Sequence, residues 1–452
     1  MALSVVILAA GKGTRMKSSL PKVLHPIAGI PMVQRIINSV EQIGAQSVNL
    51  VYGHGADQLK QNVTGSRLNW CLQAEQLGTG HAVQQATDYI NDEDDVLILV
   101  GDAPLIKPQT LERLLAAKAH ADLALLTVEL EDATGMGRII RDGDNVTAIV
   151  EHKDATEEQR QINEINTGMM VIPGADLKRW LGKLENNNAQ GEFYLTDVIE
   201  MAANEGKQIR AAHPEKQYEV EGVNNRVQLA ALERAFQSEQ AESAMLAGAT
   251  LADPNRFDVR GELTVGSDVI IDINVVVQGT VNLGDGVRVG AHCILIDCDI
   301  DAGAVIEANS IVEQAHVGAG CTVGPFARLR PGTQMLEGSK VGNFVEMKKT
   351  TLGKGSKANH LSYLGDTEVG EKANIGAGTI TCNYDGVNKS KTLIGDGAFI
   401  GSNSSLVAPV SIGANATVGA GSVVNKSVDD EQLAVARGKQ RNIDGWQRPT
   451  KK

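Results

Sequence analysis

A pair of residues, an aliphatic one followed by Gly, recurs through the second half of this 452-residue chain. The pairs are Val265-Gly266, Leu283-Gly284, Val289-Gly290, Val317-Gly318, Val323-Gly324, Val341-Gly342, Val369-Gly370, Ile375-Gly376, Ile394-Gly395, Ile400-Gly401, Ile412-Gly413 and Val418-Gly419. Most spacings are six residues or a multiple of six, which is typical of a hexapeptide-repeat β-helix. The aliphatic side chain then points into the coil, and Gly allows the tight corner that follows. We predict a parallel β-helix of triangular coils with about 18 residues per coil.

This array resembles the left-handed hexapeptide β-helix of the acyltransferase family. The resemblance, and not the spacing, implies the left hand, which is an exception to the right-handed crossover rule. It also implies a homotrimer with active sites between neighbouring prisms.

Strands and helices alternate in the first half of the chain. Residues 4–9 form a fully apolar strand, as in a buried parallel sheet. Ser47–Tyr52 and residues 96–100 have the same character, and residues 78–89 have the pattern of a helix. The alternation predicts a Rossmann-like, doubly wound α/β domain.

A Gly-rich loop follows the first strand. It reads Ala10-Gly11-Lys12-Gly13-Thr14-Arg15-Met16, and Pro21-Lys22 comes shortly after. Loops of this kind let backbone N–H groups approach phosphate, while basic side chains supply charge. The loop lacks the third Gly of a dinucleotide fingerprint, and the chain has no GxxxxGK[ST] motif. The combination closely resembles the LxxGxGTRM…PK signature of sugar-nucleotide pyrophosphorylases.

Asp102 comes directly after the strand at 96–100. Ligands of open α/β sheets bind outside the carboxyl ends of the strands, and a carboxylate there suits Mg²⁺. The alternative is a turn Asp that holds its own backbone. The neighbouring phosphate-loop motif favours the metal.

Further motifs follow along the chain, and each taken singly is compatible with a turn or a solvated face. They are Gln73 to Gly80, Gly135 to Arg138, Glu151 to Lys153, Asn166 to Gly168 and Glu221 to Arg226. Their order and separation resemble the family of bifunctional N-acetylglucosamine-1-phosphate uridylyltransferases/glucosamine-1-phosphate N-acetyltransferases. The resemblance covers nearly the whole chain.

The resemblance implies an assignment of residues in the first half. The nucleotide contacts would be Leu8, Ala9, Ala10, Gly11, Gln73, Gly78, Thr79, Val100, Gly101 and Asp102, with Arg15 and Lys22 as catalytic cations on the phosphates. The sugar contacts would be Gly137, Glu151 and Asn166, and the Mg²⁺ ligands Asp102 and Asn224. The implied reaction is attack by a sugar-1-phosphate oxygen on the α-phosphorus of UTP. Such chemistry depends on positioning and charge neutralisation more than on a protein nucleophile.

Breaks in the repeat are where we expect function in the second half. The spacing slips from Val341 onward, and between Ile375 and Ile394 we expect one coil plus an extra residue. By the resemblance, His360 is the base that takes a proton from the amine of glucosamine-1-phosphate. Arg330 and Lys348 would hold the sugar phosphate, and Glu346 would orient His360. The remaining contacts would be Tyr363 and Asn374 to the sugar, and Ala377, Asn383, Tyr384, Ser402, Ala420 and Arg437 to acetyl-CoA.

Residues 227–247 contain many helix formers and neither Pro nor Gly. Leu229, Leu232 and Phe236 fall on one face of the predicted helix. We expect a uridylyltransferase domain at 1–226, a helical linker at 227–247 and an acetyltransferase domain at 248–452. The alternative is that this segment is an ordinary surface helix of the first domain.

Composition limits the partners and the compartment. The net charge of −13 argues against a general affinity for nucleic acid. Five Cys without a CxxC motif favour a reducing compartment, so we expect a cytoplasmic protein. The apolar start of the chain has no basic residue before it and favours a first strand over a signal peptide, and no apolar run is long enough to span a membrane.

The leading hypothesis is therefore a bifunctional enzyme that makes UDP-N-acetylglucosamine for cell-envelope polymers. Its substrates would be glucosamine-1-phosphate, acetyl-CoA and UTP. One alternative is a single-activity nucleotidyltransferase whose β-helix only forms trimers or regulates, and another is a β-helix metalloenzyme, which needs clustered His ligands. The array contains only His292, His316 and His360, widely separated, so the metalloenzyme is disfavoured.

Overall fold

The computed structural model describes residues 2–188 and 190–451. The chain divides into two compact units, Met1–Phe236 and Gln237–Lys452. The division falls within the segment predicted as a helical linker. In the described part of the chain, no helix is both long and apolar enough to cross a membrane.

The amino-terminal unit is built on a mixed nine-stranded sheet. The strands of this unit are β1 Leu3–Ala9, β2 Pro26–Ile27, β3 Ile30–Pro31, β4 Ser47–Tyr52, β5 Leu68–Leu72, β6 Asp95–Val100, β7 Leu123–Glu129, β8 Arg138–Asp142, β9 Asn145–Val150, β10 Glu164–Pro173 and β11 Ile209–Ala212. The sheet order is β11-β7-β10-β6-β1-β4-β5, with β8 and β9 at the side of β10, while β2 and β3 form a separate pair. β1 runs parallel to both β4 and β6, and β10 runs antiparallel to β6.

Side chains of β1 are buried on both faces of this sheet. Val5 and Ile7 pack into the core on one face, whereas Val6 packs into the core on the other. Helices cover both faces, which confirms the doubly wound α/β architecture. The helices are α1 Met32–Gln42, α2 Ala56–Asn62, α3 Thr79–Gln84, α4 Pro108–Lys118, α5 Gly174–Leu181 and α6 Asp197–Asn204.

The helix predicted at 78–89 is shorter in the structure. α3 ends at Gln84, and Thr87–Tyr89 forms a separate 3₁₀ turn. The Thr87 hydroxyl donates to the Gln84 carbonyl at 2.8 Å, so a side chain bonds a carbonyl of the last helical turn. The other 3₁₀ turns are Thr14–Met16, Lys22–Leu24, Gln159–Gln161, Gln217–Glu219 and Pro254–Arg256.

The helix predicted at 227–247 is present as α7, Arg226–Ala247. Leu232 is buried in the core of the amino-terminal unit, with Leu229 and Phe236 packed beside it. Ala241, on the second half of the helix, belongs to the core of the carboxyl-terminal unit. The two halves of α7 therefore pack in different units.

The carboxyl-terminal unit is a parallel β-helix of stacked coils, as predicted. Its strands are β12 Ala249–Leu251, β13 Phe257–Val265, β14 Val269–Ile271, β15 Val275–Leu283, β16 Arg288–Val289, β17 Ile294–Ile300, β18 Val305–Ile306, β19 Ile311–Glu313, β20 His316–Val317, β21 Thr322–Val323, β22 Arg328–Leu329, β23 Gln334–Met335, β24 Lys340–Asn343, β25 Glu346–Lys348, β26 Thr351–Leu352, β27 Lys357–His360, β28 Tyr363–Gly365, β29 Thr367–Val369, β30 Asn374–Ile375, β31 Ile380–Cys382, β32 Thr392–Ile394, β33 Phe399–Ile400, β34 Ser405–Val407, β35 Val410–Ile412, β36 Thr417–Val418, β37 Val423–Val424 and β38 Leu433–Ala434. One face is the stack β12-β14-β16-β18-β21-β24-β27-β30-β33-β36-β38, and a second sheet forms the other two faces. The left hand remains a prediction of the resemblance, because strand order and register do not determine it.

The coils are less regular than the hexapeptide spacing predicts. Ile271 pairs with Val289, 18 positions on, but Val289 pairs with Ile306, only 17 positions on. The irregularity therefore begins well before Val341, contrary to the prediction. Between Ile296 and Cys298, Asp297 alone takes the place of Gly279 and Thr280 of the coil before. Its carboxylate accepts from the Thr280 N–H at 3.0 Å.

The coil after Ile375 carries a larger insertion than predicted. Ile375 pairs with Ile400, 25 positions on, whereas Ile394 pairs with Val369 on a different face. The prediction of a single extra residue was wrong because it placed Ile375 and Ile394 on the same face. The additional residues form a loop between β31 and β32.

At most of the aliphatic–Gly pairs, Gly is needed for close stacking of the coils. A Cβ atom on Gly290 would lie 2.7 Å from the Ala308 N atom, and one on Gly318 would lie 2.7 Å from the Met335 O atom. Neither Gly has a left-handed φ. The corner conformation proposed from the sequence is thus not the reason for Gly at these positions.

Candidate active sites

The Gly-rich loop connects β1 to a 3₁₀ turn and lies against Lys22. Gly13 has a φ of 60°, and a Cβ atom there would lie 2.6 Å from the Lys22 Cβ atom. Only Gly combines this backbone conformation with so close an approach. The loop therefore places Lys22 beside the end of β1.

A cavity of about 290 Å³ opens at the carboxyl ends of β1 and β6. Ten of its lining residues are predicted nucleotide contacts or phosphate ligands: Leu8, Ala9, Ala10, Gly11, Lys22, Gln73, Gly78, Thr79, Val100 and Asp102. Gly101 lies directly beside it, because its N–H donates to the Leu8 carbonyl at 2.8 Å. Gln76 and Glu192 also line the cavity and had no predicted role. Glu192 lies far from the motifs in sequence, so nothing in the pattern indicated it.

Four predicted site residues converge at the edge of this cavity. The Lys22 ammonium donates to the Asp102 carboxylate and, at 3.3 Å, to Asn224 Oδ1. Arg15 Nη2 donates to the same Asn224 oxygen at 2.8 Å. The Val223 N–H donates to the Asp102 carbonyl at 2.8 Å and so ties the two segments together.

The Asp102 and Asn224 oxygens meet around one ammonium group, although 122 residues separate them. Carboxylate and amide oxygens are the hard donors that Mg²⁺ prefers. The two side chains therefore fit the predicted metal in type and in proximity. Among the described residues, no group of three or more His, Cys, Asp or Glu is arranged to hold a metal.

The predicted sugar contacts also lie together. A Cβ atom on Gly137 would lie 3.4 Å from Glu151 Oε1, and the Asn166 N–H donates to the Gly137 carbonyl at 2.9 Å. Glu151 lines a separate cavity of about 600 Å³, together with Asp154, Asp197 and Glu200. The structure thus places Glu151 at a neighbouring, acidic cavity and not in the lining of the nucleotide cavity.

Burial, reinforced by neighbouring carboxylates, raises carboxyl pKa values in that second cavity. Burial raises the pKa of Glu151, although a 3.4 Å hydrogen bond from the Thr196 hydroxyl opposes the shift. Burial and the charges of Glu200 and Glu151 raise the pKa of Asp197 to about 6. Sequence reasoning missed Thr196 and Asp197; a Thr before a helical segment signals only a helix start.

The acetyl-transfer residues occupy successive coils of the β-helix. His360 ends β27 and pairs in register with Asn343 of the coil before. Its side chain is exposed, and its carbonyl accepts from the Ser362 hydroxyl at 2.8 Å. Arg330 Nη1 donates to Glu346 Oε1 at 2.7 Å. The Glu346 carboxylate therefore pairs with Arg330, not with His360 as expected.

Tyr363 and Asn383 approach each other over Gly365. A Cβ atom on Gly365 would lie 2.5 Å from the Tyr363 hydroxyl and 2.8 Å from Asn383 Nδ2. Asn383 Nδ2 donates to Asp366 Oδ2 at 2.5 Å. Tyr384 follows in the loop between β31 and β32, where it forms an antiparallel backbone bridge with Lys389. The loop thus begins at Asn383, a predicted acetyl-CoA contact, which lies beside the predicted sugar contact Tyr363.

Lys389 is a further residue that sequence reasoning left without a role. Its side chain lies within hydrogen-bonding reach of Lys348 and lowers the pKa of Lys348, and the Arg330 charge lowers it further. Three cations at one place form a site for an anion. The Lys389-Ser390-Lys391 charge run was the available signal.

Four of the six predicted acetyl-CoA contacts form a column. Ala377, Ser402 and Ala420 each lie two positions after residues that pair in register, namely Ile375, Ile400 and Val418. Arg437 Nη1 donates to the Ala420 carbonyl at 2.6 Å, which extends the column by one step. Asn374 lies on an adjoining face, paired with Phe399.

Comparison with known proteins gives matches in both halves. The profile of the MobA-like NTP transferase domain matches residues 5–162, and that of the bacterial transferase hexapeptide repeat matches residues 391–426. The bifunctional protein GlmU of Pseudoalteromonas atlantica is 72% identical over 451 residues, covering 100% of both chains.

Two solved structures also match part of the chain. A UDP-glucose pyrophosphorylase complexed with UDP-glucose is 16% identical and covers 53% of this chain and 100% of its own, with a TM-score of 0.44. HddC from Yersinia pseudotuberculosis is 22% identical and covers 52% of this chain and 99% of its own, with a TM-score of 0.40.

Proposed function

The chain belongs to the bifunctional GlmU family, acetyltransferases and uridylyltransferases of UDP-N-acetylglucosamine biosynthesis, and we propose which of its residues carry each reaction. Uridylyl transfer is assigned to residues 1–226 and acetyl transfer to residues 248–452, joined by the helical segment between them. The convergence of Arg15, Lys22, Asp102 and Asn224 at the nucleotide cavity carries the first assignment.

In the acetyl-transfer reaction, the amine nitrogen of glucosamine-1-phosphate attacks the thioester carbonyl of acetyl-CoA. The new C–N bond forms as the C–S bond breaks, CoA leaves as thiolate, and His360 accepts the amine proton. Arg330 and Lys348 bind the sugar phosphate, and the third cation, Lys389, adds to the same charge. Tyr363 and Asn374 position the sugar.

The acetyl-CoA molecule lies along the column of successive coils. Its contacts are Ala377, Asn383, Tyr384, Ser402, Ala420 and Arg437. Small side chains at Ala377, Ser402 and Ala420 leave room for an extended ligand, and Arg437 is exposed at the end of the column, where it meets phosphate.

In uridylyl transfer, a phosphate oxygen of N-acetylglucosamine-1-phosphate attacks the α-phosphorus of UTP, and pyrophosphate leaves. Lys22 and Arg15 neutralise the phosphates, while the backbone from Leu8 to Gly11 and the side chain of Gln73 contact the nucleotide. Gly137, Glu151 and Asn166 hold the sugar. Asp102 and Asn224 would hold Mg²⁺, which supplies further charge neutralisation at the triphosphate.

A homotrimer is supported by an apolar column at one corner of the β-helix. Phe326, Phe344 and Leu361 occupy this corner in successive coils, and they are 49%, 59% and 61% exposed. The Phe326 and Phe344 rings stack with their centroids 5.4 Å apart. Exposed aromatic residues in one row are typical of a protein interface. His360 directly precedes Leu361, so a neighbouring chain at this column would complete the acetyl-transfer site.

A cytoplasmic location is supported by the five cysteines, which are all free thiols. Disulfides are rare in the reducing cytoplasm.

A product assay tests the proposed function. The full chain is incubated with glucosamine-1-phosphate, acetyl-CoA, UTP and Mg²⁺, and one component is omitted at a time. UDP-N-acetylglucosamine should form only in the complete mixture, and thiol release should need neither UTP nor Mg²⁺. Pyrophosphate release without any thiol release would instead favour a single-activity nucleotidyltransferase with a non-catalytic β-helix.

A further inference from the structure

Glu219 is a fully buried carboxylate five residues before Asn224. Its Oε2 atom accepts a hydrogen bond from the hydroxyl of Thr110, which is also fully buried. Its Oε1 atom accepts from the Lys216 backbone N–H at 3.0 Å. A buried carboxylate is tolerated when both oxygens are bonded, so these partners fix the Glu219 side chain in one position.

The short segment from Glu219 to Asn224 is held at both ends. Beyond Glu219, the buried residue Val223 donates its N–H to the Asp102 carbonyl at 2.8 Å. Asn224 then places its side-chain oxygen between Arg15 and Lys22. A shift of Glu219 would therefore move Asn224 relative to Asp102.

Thr110, the hydrogen-bond partner of Glu219, is also connected to the site, through the chain segment that follows Asp102. It lies in α4, which begins at Pro108, shortly after Asp102. Arg113 Nη2 donates to the Thr110 oxygen at 2.8 Å, so the hydroxyl hydrogen is directed to Glu219. The Thr110–Glu219 bond thus joins the segment after Asp102 to the segment before Asn224.

We propose that Thr110 and Glu219 form a positioning pair that holds Asn224 beside Asp102 for Mg²⁺. The inference rests on the proposed assignment of Asp102 and Asn224 to the metal. Neither residue of the pair touches substrate, and both act through the two ligands. Partners of this kind orient metal ligands, and their loss typically lowers metal affinity or activity about 10–100-fold.

The test is the Mg²⁺ dependence of uridylyl transfer by the full chain, together with Mg²⁺ binding to the same protein measured by titration calorimetry. Thr110→Val removes the hydroxyl and keeps the shape, and we expect the half-saturating Mg²⁺ concentration to rise about 10–100-fold. Saturating Mg²⁺ should restore much of kcat. Thr110→Ser keeps the hydroxyl and should stay close to the wild-type value. If Thr110→Val does not fold, Glu219→Gln replaces it in the test. Gln keeps the volume of Glu, and we expect the same rise in the half-saturating Mg²⁺ concentration.

Thr127→Val is the matched control. Thr127 is equally buried, and its hydroxyl donates to Glu164 Oε1 at 2.7 Å in the same unit. A general loss of stability would affect both variants, whereas a positioning role affects the Mg²⁺ requirement of Thr110→Val alone. Equal shifts in the two variants, or failure of Thr110→Ser to rescue, would overturn the proposal.

Asp102→Ala, measured in parallel, separates this inference from the proposed function. If Asp102→Ala keeps wild-type turnover and Mg²⁺ dependence, the metal assignment and the positioning pair both fail. If Asp102→Ala loses activity while folded Thr110→Val or Glu219→Gln keeps the wild-type Mg²⁺ dependence, the metal assignment stands and only the positioning pair is wrong.

Discussion

Gly342 packs so closely against Asn359 of the next coil that a Cβ atom on Gly342 would lie 2.0 Å from the Asn359 carbonyl oxygen. Asn359 directly precedes His360, and Asn343, the neighbour of Gly342, pairs with His360 in register. The position of the proposed catalytic base thus depends on a contact between two backbones, where no side chain can adjust.

Gly342→Ala should therefore impair the acetyl-transfer half. Overpacking of this kind typically costs about 1–3 kcal/mol. We expect a lower unfolding temperature for the β-helix and slower thiol release from acetyl-CoA, with uridylyl transfer unchanged. Gly438→Ala is the control, since a Cβ atom there would meet no atom within 4 Å. Wild-type stability of Gly342→Ala would mean that the coils separate more easily than described.

Asp102→Ala should abolish most uridylyl transfer and leave acetyl transfer near normal. It removes a proposed Mg²⁺ ligand and the carboxylate partner of Lys22. We expect a loss of at least about 100-fold, the upper end for outer-shell residues. Asp95→Ala is the matched control, because Asp95 begins the same strand and pairs with Lys118 at 3.3 Å. Pyrophosphate release is measured at several Mg²⁺ concentrations, and normal turnover by Asp102→Ala would rule out the metal role.

Phe344→Glu should dissociate the proposed trimer. The Phe344 ring is 59% exposed and stacks on Phe326, so a charge there disfavours burial against a neighbouring chain. Light scattering should report a smaller assembly, with acetyl transfer reduced and uridylyl transfer kept. Leu246→Glu, at an 83% exposed position of α7, serves as control. An intact trimer with Phe344→Glu would place the interface elsewhere.

Asp197→Asn should stabilise the amino-terminal unit at neutral pH. The pKa of Asp197 is raised to about 6, so the folded state binds this proton more tightly than the unfolded state. Stability from this group is therefore full below the ordinary carboxyl pKa, falls as the pH rises through about 6, and stays low above it. Asn cannot ionise, so Asp197→Asn avoids this loss of stability. After discounting for solvent screening, we expect the free energy of unfolding to rise by about 1 kcal/mol at pH 7.5. The unfolding temperature should rise by about 2–4 °C.

The pH dependence distinguishes this cause from general stabilisation. The difference between Asp197→Asn and wild type should disappear at about pH 4, where the wild-type carboxyl is protonated. Calorimetry across this range provides the measurement. A difference that persists at low pH would show that the charge of Asp197 is not its source.

The parts of the molecule that sequence reasoning predicted correctly depend on short-range patterns. The strand Ser47–Tyr52 has the predicted bounds, and α7 differs from its prediction by one residue. Aliphatic–Gly pairs predicted the β-helix because buried positions recur at a short spacing. The family resemblance implied that Asp102 and Asn224 belong to one site, and the structure brings them together.

The remaining features arise from tertiary contacts that no local pattern indicates. Asp297 replaces two residues of the coil before, and its carboxylate accepts from the Thr280 N–H of that coil. Glu346 pairs with Arg330 of the coil before. Several other basic residues lie as close to Glu346 in the sequence, so the sequence does not single out Arg330. The Thr110–Glu219 bond spans 109 residues, and each residue alone resembles ordinary helix or turn chemistry.

His360→Ala tests the central claim, that acetyl and uridylyl transfer occur at separate sites and that His360 is the base of the first. A positioned base typically contributes about 10²–10⁴-fold. Thiol release from acetyl-CoA and pyrophosphate release from UTP with N-acetylglucosamine-1-phosphate are measured on the same preparation. His292→Ala and His316→Ala are controls; His316 pairs with Asp301 at 3.0 Å. We predict that His360→Ala loses at least about 100-fold in thiol release with pyrophosphate release unchanged, and normal thiol release would contradict the account.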